Sequence, residues 1–433
     1  MKYLKYKTLK WKIIKQLSNL NFSIILLLTI GSTSILGTII EQDKNIDYYQ
    51  SNYPMKSHIS YLFNWKNILY FGLDHIYTTW WFILLITLFF CSLTTCTFSQ
   101  QLPSLRNARH WKFMPYSKYN NSNINYLPIK SFINIIYSLN QYNYYVFQRN
   151  NKIYGYKGLV GRLAPIFVHI SIIITLTGNM LGLFTGFISQ EIIPEGEIFH
   201  VQNSIKSGKY SHLPYNIIGK IDNFFIEYHP NSSIKQFYSL ISLKNNKNEN
   251  LIQKKISVNS PLKFHGLTFY QTSWNLEGLK IQIDNKLIQQ KLQEIKINKI
   301  RTWIYNFNLT NHESLFFLVS GLNNQIFIYN SSGELLQSIK TNETFNINNH
   351  KITIKEIIPS TGIQIKTDPG IPIVYFGFFI LIISIITSYS SYHQIWISGQ
   401  NNKINLKGIT NRGQLTFEEE LTELQRDYIK ITL

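Results

Sequence analysis

Two histidines fall inside long apolar runs, where an ionisable side chain is costly and marks a functional site by default. His169 lies six residues into the run 163–187, and His393 lies four residues before the end of the run 371–397. A neutral imidazole in such a place can offer a lone pair to a haem iron. Arg162 stands directly before the first of these runs. Its planar fork suits two-point contact with a carboxylate such as a haem propionate, and its charge equally suits a membrane-surface anchor. The alternative for either histidine is a hydrogen bond to a neighbouring helix, a common use of polar residues between spans.

The remaining reactive types point to little chemistry. Cys91 and Cys96 share one apolar run. Five residues apart on a helix, they project about 140° apart and diverge, so a disulfide is disfavoured. No C-x-x-C occurs, and both read as packing residues. His75 sits at the end of an apolar run, near water, and reads as interfacial. His200, His212, His229, His265, His312 and His350 show no ligand spacing and read as surface or strand histidines. Residues 188–370 contain no G-x-S-x-G, H-E-x-x-H, P-loop or paired-carboxylate signature, which makes that segment read as a binding or scaffolding module rather than a catalytic one.

The elements that must carry these residues are four apolar runs, 21–40, 75–98, 163–187 and 371–397. Each is long enough, at about 20 residues, to cross the hydrocarbon of a bilayer. The first has no small-residue cleavage site after it, and the Lys- and Tyr-rich start is unlike a transit peptide. Between the third and fourth runs, 188–370 shows short alternating segments at 223–229, 236–243, 279–283, 325–329 and 351–355, punctuated by Asn, Gly and Ser. Period-two alternation with turn signals predicts strands. The expected fold is therefore an integral membrane α-helical chain, with four transmembrane helices and a large, mainly β soluble domain between helices 3 and 4.

Charge orients it. Residues 1–20 carry six lysines and no acid, and the 99–162 loop carries nine Lys/Arg and no acid, whereas 41–74 has three lysines against four acids. By the positive-inside rule the first two face the cytoplasm-like side. The expected order is a basic tail (1–20), helices 1 and 2 with a short opposite-side loop (21–98, loop 41–74), a basic loop (99–162), helix 3 (163–187), the large β-rich domain (188–370), helix 4 (371–397) and a tail on the first side (398–433). This placement accounts for the net charge of +19 and removes nucleic acid as a partner, leaving membrane lipid. Hydrophobic residues are 45% and charged residues 15%, in keeping with a membrane chain. Only Ala108 and Ala164 represent alanine, while Ile, Asn, Lys and Tyr abound, the imprint of an AT-rich genome such as a plastid's.

Antiparallel helices would place His169 about 9 Å and His393 about 6 Å from the same membrane face. Gly178, Gly182 and Gly186 form a small-residue ridge roughly opposite His169. Ser384, Ser388 and Ser391 lie roughly opposite His393, with Tyr389 and Trp396 on the histidine's side.

Six motifs then occur in order: NFSIILLL, DHIYTTWWF, GRLAPIFVHI, SPLKFHGLTFYQTSWN, PGIPIVYFGFFIL with SYSSYHQIW, and TNRGQLTFEEEL. With them, nearly the whole chain resembles the ResB/CcsB family of system II cytochrome c biogenesis, chloroplast-type members included. The resemblance implies a complex with a CcsA-type membrane protein that carries a tryptophan-rich haem-handling segment. Together they would move haem across the thylakoid membrane and attach it to C-x-x-C-H motifs of apocytochromes c, cytochrome f and soluble cytochromes among them. It implies a multi-pass thylakoid protein with its large domain in the lumen and both termini in the stroma. A transmembrane histidine is expected to ligate haem, which maps onto His169 first and His393 second, or onto one histidine from each subunit. Trp80 and Trp81 are followed by Phe82 rather than Asp. Attachment chemistry is thus expected of the partner, and this chain reads as a non-catalytic subunit of a cytochrome c haem lyase complex. The rival is a cofactor-free assembly scaffold or transporter subunit.

Overall fold

The computed structural model describes residues 2–55, 64–103, 113, 125–128, 131–214, 217–230, 233–245, 249–297, 300–308, 314–323, 325–347, 350–400 and 403–432. The chain divides into two compact units, residues 1–177 with 372–433, and residues 178–371.

The first unit contains the first two membrane helices and most of the third and fourth. Among the described residues, four helices are long and apolar enough to cross a bilayer: Leu20–Ile39, Trp80–Gln101, Leu159–Thr185 and Ile371–Ser388. Leu, Ile and Phe dominate them, and few of their side chains are buried because lipid, not protein, is their solvent. Third and fourth spans meet through small residues. A Cβ placed on Gly377 would sit 2.3 Å from Thr175 Oγ1 and 3.1 Å from the Ser171 carbonyl, so only glycine allows that approach. The 41–74 connection is folded. Helices Ile46–Asn52 and Trp65–Phe71 pack Tyr49 and Ile68 against Ile40 at the end of the first span.

The fourth helix stops at Ser388, nine residues before the end of the apolar run. His393 therefore does not lie in a span; it begins the strand His393–Gln400. That strand pairs on one side with Lys152–Lys157, which runs directly into the third span, and on the other with Lys403–Thr410. Asn125–Pro128 and Tyr145–Arg149 complete a five-stranded sheet. Helices Phe132–Gln141 and Gln414–Thr432 cover one face, burying Ile135, Leu139, Ile395, Ile397, Ile404, Phe417, Leu424 and Tyr428. Parts of the expected 99–162 loop and 398–433 tail thus fold together as one small α/β domain. The Ser-rich break at residues 388–391 ends the helix, and backbone pairing with Lys152–Lys157 carries the aromatic run onward as a strand.

The second unit is built of strands, as the alternation predicted. All five expected segments fall on strands, with Gln325–Tyr329 matched end to end and the first ending one residue early at Tyr228. Two long strands, Leu267–Ile283 and His350–Thr367, pair antiparallel through the middle of a seven-stranded sheet. Their register shifts between Gln271 and Ser273 and between Leu276 and Gly278, and such bulges bend strands. On one side of the bends, Leu276, Leu279, Ile281, Ile352 and Ile354 share a core with Trp303, Phe317 and Ile326 of a five-stranded sheet. On the other, Leu267, Phe269, Ile363 and Ile365 share a core with Ile221, Ile241 and Ile256 of a four-stranded sheet. The unit is a pair of β sandwiches that share two strands. The Gly178–Gly186 ridge lies against residues 367–370, just before the fourth helix: a Cβ on Gly370 would fall 2.0 Å from the Gly178 carbonyl oxygen.

Candidate functional site

The third span begins where the small sheet ends. Gly158 (φ +76°) turns the chain from the strand into the helix, and a Cβ there would strike the Ser391 carbonyl oxygen at 1.9 Å. A Cβ on Gly161 would meet the Ser390 carbonyl oxygen at the same distance. The helix start and the turn after the fourth span are therefore in backbone contact. Arg162 sits at this junction. Its Nη1 donates to the Tyr392 hydroxyl at 3.1 Å, and the guanidinium carbon lies 5.1 Å from that ring's centroid. Tyr392 and Tyr154 hydroxyls are 3.4 Å apart, and Gln394 Nε2 donates to Tyr154 at 2.7 Å. One of the guanidinium's five donors is committed in this way, and its orientation is fixed by stacking.

His169 follows Arg162 by seven residues, two helical turns, so both lie on one face about 10 Å apart along the axis. The half-buried imidazole meets the second span. Nδ1 lies 3.3 Å from Thr97 Oγ1, and the same hydroxyl is 2.7 Å from the Leu93 carbonyl oxygen. A hydroxyl has one hydrogen, and the carbonyl can only accept. With the shorter contact taken as the Thr97 donation to Leu93, Thr97 accepts from His169, the arrangement with the imidazole proton on Nδ1 and the lone pair on Nε2. A hydrogen bond on one ring nitrogen that fixes the tautomer for the other is the usual arrangement around a metal-ligating histidine. Thr97 opens a π-helical turn, Thr97–Gln101, at the end of the second span. Such turns are frequent at functional sites. Gln100, in the same turn, donates to the Ser18 carbonyl at 2.7 Å.

His393 does not join this site. It is 4% exposed, and its ring centroid lies 4.7 Å from that of Phe417. Nε2 is 2.7 Å from Ser391 Oγ, while Nδ1 is buried without a hydrogen-bond partner among the described residues. Burial pushes its pKa below the ordinary value; Glu420 opposes that shift and Lys157 adds to it. Lys157 and Glu420 pair at 2.7 Å. No planar macrocycle fits against a ring enclosed in this way. The expectation of two antiparallel histidines at matched depth fails because the fourth helix ends before reaching His393.

His75 stands before the second span, with its side chain 46% exposed and Nδ1 2.8 Å from Asp74 Oδ1. The contact lacks the alignment of a hydrogen bond. The 17-residue helix Trp80–Cys96 separates it from Thr97, a rise of about 26 Å, close to the thickness of a bilayer core. The Asp-His pair in DHIYTTWWF was the available signal for it. Cys91 is exposed and Cys96 buried, divergent as their spacing required. No cluster of three or more His, Cys, Asp or Glu that could hold a bare metal ion occurs among the described residues.

Comparison with known proteins follows the same outline. The ResB-like family profile matches residues 20–351 and 323–422. A protein of Gracilaria tenuistipitata var. liui named cytochrome c biogenesis protein Ccs1 is 51% identical over 430 residues, 98% of this chain and 99% of that one. A protein of the same name from Pyropia yezoensis is 46% identical over 97% of this chain and 96% of its own length. The cytochrome c biogenesis protein CcsB of a Picosynechococcus species is 38% identical over 95% of this chain and 90% of its own.

Proposed function

The chain belongs to the ResB-like family, and from that premise we propose that it assists haem transfer and haem attachment in cytochrome c biogenesis. Relatives matched over nearly full length are named for cytochrome c biogenesis, the process in which those steps fall. The working complex pairs this chain with a CcsA-type haem-handling subunit, and apocytochromes c are its clients. The membrane is the thylakoid, with the β-sandwich unit in the lumen and both termini in the stroma; the nine-to-zero charge bias of residues 99–162 supports that orientation.

The observation that carries the haem reading is the Thr97–His169 contact, which leaves Nε2 as the lone-pair nitrogen. Bound there, haem would supply an iron that accepts this nitrogen. Arg162, two turns toward the stroma, would take a propionate with the donors that Tyr392 does not use. His393 serves the sheet rather than the iron. His75, beside the Asp74 carboxylate and one bilayer thickness away, is the second candidate ligand, suited to receiving haem on the lumenal side.

The test is the haem spectrum of the purified complex with its CcsA-type partner. His169→Ala should reduce bound haem while the protein accumulates, and added imidazole should partly restore the spectrum. Unchanged haem in that variant and in His75→Ala assigns haem wholly to the partner and favours the scaffold reading. Arg162→Lys keeps the charge and loses the fork. Unchanged haem retention in it removes the propionate role.

A further inference from the structure

The N-terminal helix Lys2–Leu17 is used by neither the sheet nor the haem reading. It is not a continuation of the first span. Ser18 and Asn19 interrupt the helix, and Asn19 is extended (φ −77°, ψ 126°) while its side chain accepts from the Asn21 amide. The second span holds the bend. Ser92 Oγ donates to the Leu17 carbonyl at 2.6 Å, and Gln100 Nε2 donates to the Ser18 carbonyl at 2.7 Å. The helix therefore leaves the membrane end of the bundle at a fixed place and in a new direction.

Its side chains suit neither water nor hydrocarbon. Leu9, Trp11 and Ile13 are 59%, 70% and 51% exposed. Lys10, Lys12 and Lys15, interleaved with them, are exposed as well, and residues 1–20 carry six lysines and no acid. Exposed leucine, tryptophan and isoleucine call for an apolar neighbour, yet lysines at this density forbid a span. Both demands are met at the headgroup layer. There Leu9 and Ile13, four residues apart and so on one helix face, reach the acyl boundary, the Trp11 indole on the other side lies among the headgroups, and lysine stems carry their ammonium groups to phosphates.

We propose that Lys2–Leu17 is an interfacial helix that binds the anionic headgroups of the bilayer in which the first span sits. Charge complementarity selects the occupant: a helix without an acid recognises an anionic surface, and continuity with a membrane span puts that surface within reach. Each lysine near such a surface contributes about fivefold in affinity.

The full chain can be tested in lipid nanodiscs, which leave both faces open to solutes. In a Cys91→Ser, Cys96→Ser background, Leu9→Cys carries an environment-sensitive fluorophore. Discs contain phosphatidylcholine alone, or phosphatidylcholine with about one-third phosphatidylglycerol. Anionic discs should lower quenching by an aqueous quencher at least about threefold, and Lys10→Gln, Lys12→Gln, Lys15→Gln together should clearly reduce the difference. High salt should weaken the protection as the screening length shortens. Equal quenching in the two lipids overturns the proposal. So does protection that persists in detergent, which would mean that protein covers the helix.

Discussion

Thr97→Val tests the tautomer that the haem reading depends on. Valine keeps the shape of threonine at a site only 4% exposed, so packing around the π-helical turn is retained. What is lost is the oxygen 3.3 Å from His169 Nδ1. A distance at the long end of the hydrogen-bond range argues for the lower part of the usual cost, about 1 kcal/mol, for leaving the Nδ1 proton unpaired. The imidazole can recover that energy by moving its proton to Nε2, which removes the lone pair from the coordinating nitrogen. Haem affinity should then fall about fivefold, toward the lower end of the loss expected when a ligand's supporting contact is removed. The assay is a haem titration of the purified complex with its CcsA-type partner, followed in the visible spectrum. Thr97→Ser keeps the hydroxyl and should retain most of the affinity. In a His169→Ala background, Thr97→Val should add little, because the two residues act as a unit. The reasoning is refuted if Thr97→Val binds haem as the parent does, or if Thr97→Ser loses as much as Thr97→Val.

His393→Ala should keep haem but lower stability by about 2 kcal/mol, as removal of a buried packing side chain does, read as a lower melting temperature at unchanged haem content. Because burial holds the folded pKa of His393 below its unfolded value, the unfolded chain takes up the proton first. Stability should be full above about pH 6.5 and fall as pH drops through that value; melting curves of the parent against His393→Phe would show the dependence flattened in the variant if the sign is right. Gly161→Ala should sharply reduce accumulation, since its Cβ would meet the Ser390 carbonyl oxygen at 1.9 Å, whereas Gly31→Ala has nothing within 4 Å and should accumulate normally. Reporters inserted at the Asn150 turn and at Gly333 should read as stromal and lumenal respectively; a lumenal signal at Asn150 inverts the orientation.

What the sequence determined by itself was local in origin. Hydropathy over about 20 residues located the four spans, because a bilayer rewards any helix of that length and composition regardless of its neighbours. Alternation at 325–329 or 236–243 marked strands because successive side chains of a strand face opposite sides. The divergence of Cys91 and Cys96, and the glycine ridge ending at Gly186, likewise follow from helical spacing alone. The tertiary structure decided what depends on partners far along the chain. An aromatic stretch such as residues 389–397, with Tyr, Trp and Ile set among Ser, His and Gln, can extend an apolar run either as helix or as strand. Its backbone took the strand because Lys152–Lys157, some 240 residues earlier, supplied the hydrogen bonds, and His393 left the membrane with it. The same holds for the site. Nothing around His169 in the sequence names its proton-bearing nitrogen; Thr97, on another helix, fixes it by having a single hydrogen already given to Leu93.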